Sequence, residues 1–305
     1  MVKLTPLKPG DTIAIIAPGG WVEADQLERA VARAQAGGFN AFIHPQCNLR
    51  HGRFAGTDTE RLNALHEVFT DPHVKAAWCV RGGYGAIRLL DQIDYDLIRR
   101  HPKPLIGLSD ITALLVALYQ RTGMVTFHGR MAGQTAQVLC PESERLLWSA
   151  LQGQFYSPSG LPGYAPEIMV AGRASGKLLG GNLAMLSSLM GSRDQVRLNG
   201  AILFIEETNE PLYRLDRMLM QLSRAGREGL RGVIVGDITS PADVKDSKWS
   251  AASILHSHFA HLGIPVVTHY PAGHIPHQTV LPIGAEVELV AEGEVELKVT
   301  APVFI

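Results

Sequence analysis

Val74-Lys75-Ala76-Ala77-Trp78-Cys79-Val80-Arg81-Gly82-Gly83-Tyr84-Gly85 is an apolar run that ends in a glycine-dense turn. A stretch of this kind reads as a buried strand followed by its exit loop. Upstream, Thr57-Asp58-Thr59-Glu60 holds a capping box and opens a helix through Leu62, Leu65 and Phe69. Before it come a strand over 39–44, a helix through Leu27, Ala30, Val31 and Ala34 stopped by Gly37-Gly38, and a strand over 11–17. Downstream, a strand over 105–108 feeds a helix through Ile111, Leu114, Leu115 and Leu118, and a fifth strand follows over 124–127. This alternation predicts an α/β fold with a doubly wound, flavodoxin-like parallel sheet. Ligands bind such sheets beyond the carboxyl ends of the strands, where residues 81–85 and 107–110 fall.

The chain has 305 residues, enough for two domains at roughly 150 residues each. Residues 152–166 turn rich in Gly, Pro and Ser without helical periodicity, so the boundary is expected there. The expected division is an N-terminal domain over 1–155, a linker over 156–166, and a smaller mixed α/β domain over 167–305. The second half offers strands over 201–206, 232–236 and 264–268. It also offers a helix over 212–225 with Leu212, Leu215, Leu219 and Leu222 inward, and a hairpin over 286–299 around Glu292-Gly293.

Composition excludes several classes. Lys plus Arg is 28 against 29 for Asp plus Glu, which argues against a protein that gains affinity by displacing counterions from nucleic acid. Cys47, Cys79 and Cys140 include no C-x-x-C pair, so neither a disulfide framework nor a structural zinc site is expected. They read as buried thiols in a reducing compartment. The apolar stretch over 13–17 is too short for a secretory signal, and no run is long enough for a membrane span. A cytoplasmic protein without a membrane partner is expected.

Several segments could carry chemistry. Ser109 in Gly107-Leu108-Ser109-Asp110 falls where a strand gives way to a helix. A tight turn there would expose its hydroxyl and aim the next N–H as an oxyanion donor, although on spacing alone a helix cap is the simpler reading. The Gly82-Gly83-Tyr84-Gly85 turn suits close approach of a ligand to backbone, but matches neither a dinucleotide fingerprint nor a P-loop. Gly172-Arg173-Ala174-Ser175-Gly176-Lys177 imitates a phosphate loop, yet is one residue short and has Leu178 where a magnesium-binding hydroxyl belongs. Glu206 and Glu207 end an apolar strand, and His274 and His277 stand in a Gly- and Pro-bounded loop. His256-x-His258-x-x-His261 has a metal-like look, but a helix would point positions 256 and 258 apart. Arg214 and Arg217 could clamp a carboxylate, or simply pair with Asp216 and nearby glutamates.

Taken together, five segments in order resemble the LD-carboxypeptidases, or murein tetrapeptide carboxypeptidases, with the related microcin-immunity peptidases. They are Val80–Gly85, Gly107-Leu108-Ser109-Asp110, Gly180-Gly181-Asn182-Leu183, the acidic stretch from Glu206 through Leu219, and Gly273-His274. The resemblance implies a serine peptidase with Ser109 as nucleophile, Glu206 as the acid and His274 as general base. Glu207 and His277 are the rivals for the last two roles. It implies an oxyanion hole from the N–H groups of Asp110 and Gly83, and a second domain with a β-rich, barrel-like sheet. Neither metal nor cofactor is called for, and a homodimer is implied. The implied substrate is murein tetrapeptide, cut at the L,D-bond between meso-diaminopimelate and the terminal D-alanine. Arg81, Arg130 and Arg214 are candidates for the D-alanine carboxylate. One departure from the pattern stands at His128-Gly129-Arg130, where a proline is expected after the glycine. The rival readings are a microcin-type peptidase acting on a peptide-nucleotide conjugate, and a non-catalytic ligand-binding module.

Overall fold

The computed structural model describes residues 2–134, 140–156, 158, 161, 165–224, 226–240 and 249–305. Parts of the expected linker, and the last residue of the helix expected over 212–225, lie outside them. The chain forms two compact units.

The first unit holds a six-stranded sheet. Its strands are β1 (Thr12–Ile16), β2 (Asn40–Ile43), β3 (Val74–Cys79), β4 (Leu105–Gly107), β5 (Thr126–His128) and β11 (Leu281–Ile283), in the order β2-β1-β3-β4-β5-β11. The first five run parallel, in the flavodoxin-like order anticipated. Helices α1 (Ala24–Ala36), α2 (Asp58–Thr70), α3 (Tyr95–Arg100), α4 (Thr112–Thr122) and α5 (Pro141–Leu151) supply the crossovers and cover. The capping box opens α2: the Thr57 hydroxyl accepts from the Glu60 N–H at 3.3 Å, and the Glu60 carboxylate accepts from the Thr57 N–H at 2.7 Å. The two glycines after α1 do different work. Gly38 takes the left-handed turn at φ 85°, whereas a Cβ on Gly37 would lie 2.5 Å from the Trp148 indole.

Residues 167–305 do not all belong to the second unit, as the sequence division expected. Val280–Gly284 and Pro302–Ile305 are part of the first unit. The reason is backbone pairing: β11 runs antiparallel to β5, and the Ile305 N–H donates to the Leu4 carbonyl at 2.9 Å.

The second unit holds a seven-stranded mixed sheet. Strands β7 (Gly172–Asn182), β8 (Ala201–Glu207), β9 (Gly232–Ile238) and β10 (Val266–Thr268) are parallel neighbours. The expected hairpin is β12 (Glu286–Glu292) and β13 (Glu294–Val299), and β12 adds antiparallel to β7. At the far edge, β6 (Glu167–Val170) adds antiparallel to β10. Only Ala171 separates β6 from β7, and the next residue, Gly172, has φ 148°. One bent segment therefore serves both the middle and the edge of the sheet, which curls it toward a barrel. Helices α6 (Leu183–Leu189), α7 (Leu212–Arg224) and α8 (Ala251–Phe259) complete the unit. The phosphate-loop imitation at Gly172–Lys177 is strand, paired with β12. Among the described residues, no helix is long and apolar enough to cross a membrane. All three cysteines are free and buried.

Candidate active site

Strand β4 ends at Gly107, and the chain passes through a single 3-10 turn over Ser109–Ile111 before α4 begins. Ser109 is held at φ 61°, a left-handed conformation that costs a non-glycine residue about 1–3 kcal/mol and gathers at functional sites. A helix cap needs extended backbone and a side-chain bond into the first turn; Ser109 has neither, so the capping reading falls. Its tight geometry depends on Gly107, where a Cβ would lie 2.8 Å from the Ile111 side chain.

The glycine loop after β3 lies against this turn. A Cβ on Gly82 would stand 3.1 Å from the Ser109 Cβ and 3.2 Å from the Asp110 nitrogen. Three groups hold the loop in place. The Gly20 N–H donates to the Gly82 carbonyl at 2.9 Å. The buried Asp110 carboxylate accepts from the Ala86 N–H at 2.9 Å. Arg61, fully buried, donates to the carbonyls of Pro18 and Gly85. Burial raises the Asp110 pKa above the ordinary carboxylate range, with the Ala86 and Gly85 N–H groups and Arg61 opposing it. Neither Arg61 nor the Asp110 side chain was singled out from sequence. A buried arginine inside a capped helix carries no local signature.

In the second unit, β8 ends in Glu206 and Glu207, both buried. Adjacent strand residues face opposite ways, and the two acids have different partners. Glu206 Oε2 lies 2.8 Å from His274 Nδ1. A carboxylate only accepts, so Nδ1 carries the proton and Nε2 is left as the basic nitrogen. Glu207 instead accepts from the Ala184 N–H at 2.7 Å, the Thr208 N–H at 2.8 Å and Asn182 Nδ2 at 3.1 Å. It holds the start of α6, where Asn182 is the N-cap. Burial raises its pKa against the pull of those donors.

Gly273 aims the histidine. It sits at φ 127°, and a Cβ there would stand 3.2 Å from the Glu206 Cβ and 3.3 Å from the Asp237 Cβ. Burial disfavours the His274 imidazolium, but the hydrogen bond to Glu206 and the charges of Glu206, Glu207 and Asp237 outweigh it, so its pKa is raised. Asp237, at the end of β9, is a further acid of this site that sequence reasoning missed. Its own pKa is raised by burial and then by Glu206. His277 is not bonded to either acid; its buried Nδ1 has no hydrogen-bond partner among the described residues.

The three candidate arginines differ in placement. Arg81 is half-buried and donates to the Trp21 carbonyl at 3.1 Å. Arg130 is 1% exposed, and burial brings its pKa down to about 10, with Arg33 adding to the effect. It is buried in the first unit. Arg214 pairs with Glu210 at 3.0 Å. Among the described residues, Asp216 bonds neither Arg214 nor Arg217 but His258, at 2.8 Å. Among the described residues, no group of three or more His, Cys, Asp or Glu could hold a metal ion.

Comparison with known proteins gives the family. Residues 13–129 match the LD-carboxypeptidase N-terminal domain, and residues 175–289 match the LD-carboxypeptidase C-terminal domain. A probable murein peptide carboxypeptidase of Bacillus subtilis (strain 168) is 35% identical over 93% of this chain and 90% of its own. The crystal structure of muramoyltetrapeptide carboxypeptidase from Oxalobacter formigenes superposes with a TM-score of 0.82 at 30% identity, covering 94% of this chain and 97% of that one. The wild-type apo microcin C7 self immunity protein MccF superposes with a TM-score of 0.88 over all of both chains; at 22% identity it is a likeness of fold alone. With both family domains matched across most of its length, the chain belongs to the LD-carboxypeptidase family.

Proposed function

We propose that this protein is a serine carboxypeptidase that releases the terminal D-alanine from murein tetrapeptide, cutting the L,D-bond to meso-diaminopimelate. The observation that carries the reading is the match to both family domains, together with near full-length likeness to a murein peptide carboxypeptidase. In this reading Ser109 Oγ attacks the scissile carbonyl and His274 Nε2 accepts its proton. Glu206 holds the tautomer and stabilises the imidazolium as it forms. The N–H groups of Asp110 and Gly83 receive the oxyanion. The C–N bond then breaks, His274 returns the proton to the departing D-alanine amine, and water hydrolyses the acyl-serine to free the tripeptide.

Geometry within each unit supports the separate assignments. Ser109 is held in a conformation that a cap would not need, and Glu206 rather than Glu207 is bonded to His274. The glycine at 82 keeps a side chain away from Ser109 and from the Asp110 nitrogen. A cytoplasmic setting and a homodimer belong to the same proposal, on the resemblance.

The test is a parallel assay of murein tetrapeptide and an aminoacyl-nucleotide conjugate. The expected result is D-alanine release from the tetrapeptide with little turnover of the conjugate. The opposite preference would move the protein to the microcin-type reading, and binding without turnover of either would point to a non-catalytic module.

A further inference from the structure

We propose that loops adjoining the Ser109 turn form an anion-binding surface, in which Trp21, Arg50, Arg53 and Arg81 hold the carboxylate-bearing acyl part of the substrate. This rests on the peptidase reading above.

The surface is continuous with the Ser109 turn through backbone. Gly82, which lies against Ser109, accepts from the Gly20 N–H at 2.9 Å. The next residue, Trp21, donates its N–H to the Arg53 carbonyl at 3.1 Å and accepts from Arg81 Nη1 at 3.1 Å. A Cβ on Gly20 would stand 3.5 Å from Arg81 Nε, so the arginine stem follows this loop closely. The Arg50 guanidinium stacks 3.8 Å from the Trp21 ring centre. Stacking fixes the plane of the guanidinium and leaves its N–H edges free to grip a carboxylate in two places.

Charge points the same way. Among the described residues, Arg50, Arg53 and Arg81 have no carboxylate within ion-pair distance, whereas Arg33, Arg61 and Arg88 each have one. Arg50 and Arg53 are exposed. In a chain of net charge −1, cations gathered without counter-charge repel one another, and a bound anion would relieve that repulsion. The departing D-alanine offers one carboxylate, which one guanidinium can satisfy. Several arginines beside an indole face exceed that need. They fit the longer peptide on the acyl side, which carries several carboxylates and whose remote binding energy can orient the reacting bond.

Calorimetry with the acyl tripeptide, which lacks D-alanine, tests this apart from catalysis. The probes are the native tripeptide and a version with its carboxylates amidated, against wild type and an Arg50→Gln, Arg53→Gln double variant. The double variant should bind the native tripeptide about tenfold more weakly. Amidation should weaken wild-type binding by a similar factor and add nothing in the variant. D-alanine release, measured in parallel, should show the loss in KM. Equal binding by wild type and variant, equal losses for native and amidated peptide, or no tripeptide binding by wild type would each overturn the surface. If wild type releases no D-alanine but binds the tripeptide with this arginine dependence, the peptidase reading falls and the surface stands.

Discussion

At the turn after β4, backbone geometry does the positioning. Ser109 is held at φ 61° by a glycine before it and a glycine loop packed against it, with no side-chain bond to its hydroxyl among the described residues. At the end of β8, side chains do the positioning. Glu206 bonds His274, and Glu207 anchors the start of α6 through three donors. The first region is therefore sensitive to added atoms and the second to lost or reversed hydrogen bonds. Within the second region the neighbouring glutamates have different partners, so the proposed roles assign one to activity and the other to stability.

Three substitutions can break or sharpen that contrast. Glu206→Gln should have the largest effect, lowering kcat/KM by about 10³–10⁴-fold through loss of the tautomer and of imidazolium stabilisation. Its pH profile is equally informative. His274 must be neutral to accept a proton, and its pKa is raised above the ordinary 6.5. Wild-type activity should thus fall, as the pH is lowered, at a pH above that of an ordinary histidine; in Glu206→Gln the fall should move to lower pH. The linked stability runs the other way. The charged pair stabilises the fold fully below the ordinary histidine pKa, and that contribution is lost as the pH rises through the raised value. An unmoved acid limb in Glu206→Gln would remove Glu206 from its proposed role.

Gly82→Ala comes next. Its Cβ would crowd Ser109 and the Asp110 N–H, so kcat/KM should fall by about 10–100-fold while thermal unfolding changes little. Wild-type turnover in this variant would show that the close approach is unimportant. Glu207→Gln should have the smallest effect on turnover and act instead on stability. It sets an amide donor against donors already present, costing about 1–3 kcal/mol in denaturant unfolding. Turnover lost in Glu207→Gln as deeply as in Glu206→Gln would erase the distinction between the two acids.

The five parallel strands of the first sheet were legible because each is a short apolar run closed by glycine or proline, and because α2 carries its own start signal in Thr57 and Glu60. The curl of the second sheet was implied by the family resemblance and by no local pattern. β7 begins Gly172-Arg173-Ala174-Ser175-Gly176-Lys177, a composition with no strand preference, and its pairing comes from β8 and β12 on either side. Gly180 shows the cost of that fit: at φ 143°, a Cβ there would overlap the Phe204 carbonyl. β11 is three residues with a central proline, and only its pairing with β5 makes it a strand. Ser109, Glu206 and His274 were proposed from motif resemblance, whereas Asp237 and Arg61 have tertiary neighbours that no local pattern encodes. The burial of Arg130 is likewise a property of the packed unit, with no local signature.

The most direct measurement is covalent labelling with a serine-reactive phosphonate, read by intact mass and peptide mapping. Wild type should gain one adduct on the peptide containing Ser109, Glu206→Gln should label far more slowly, and Ser109→Ala should not label and should release no D-alanine. An adduct on a different serine, or D-alanine release by Ser109→Ala at the wild-type rate, would contradict the assignment of Ser109 as the nucleophile.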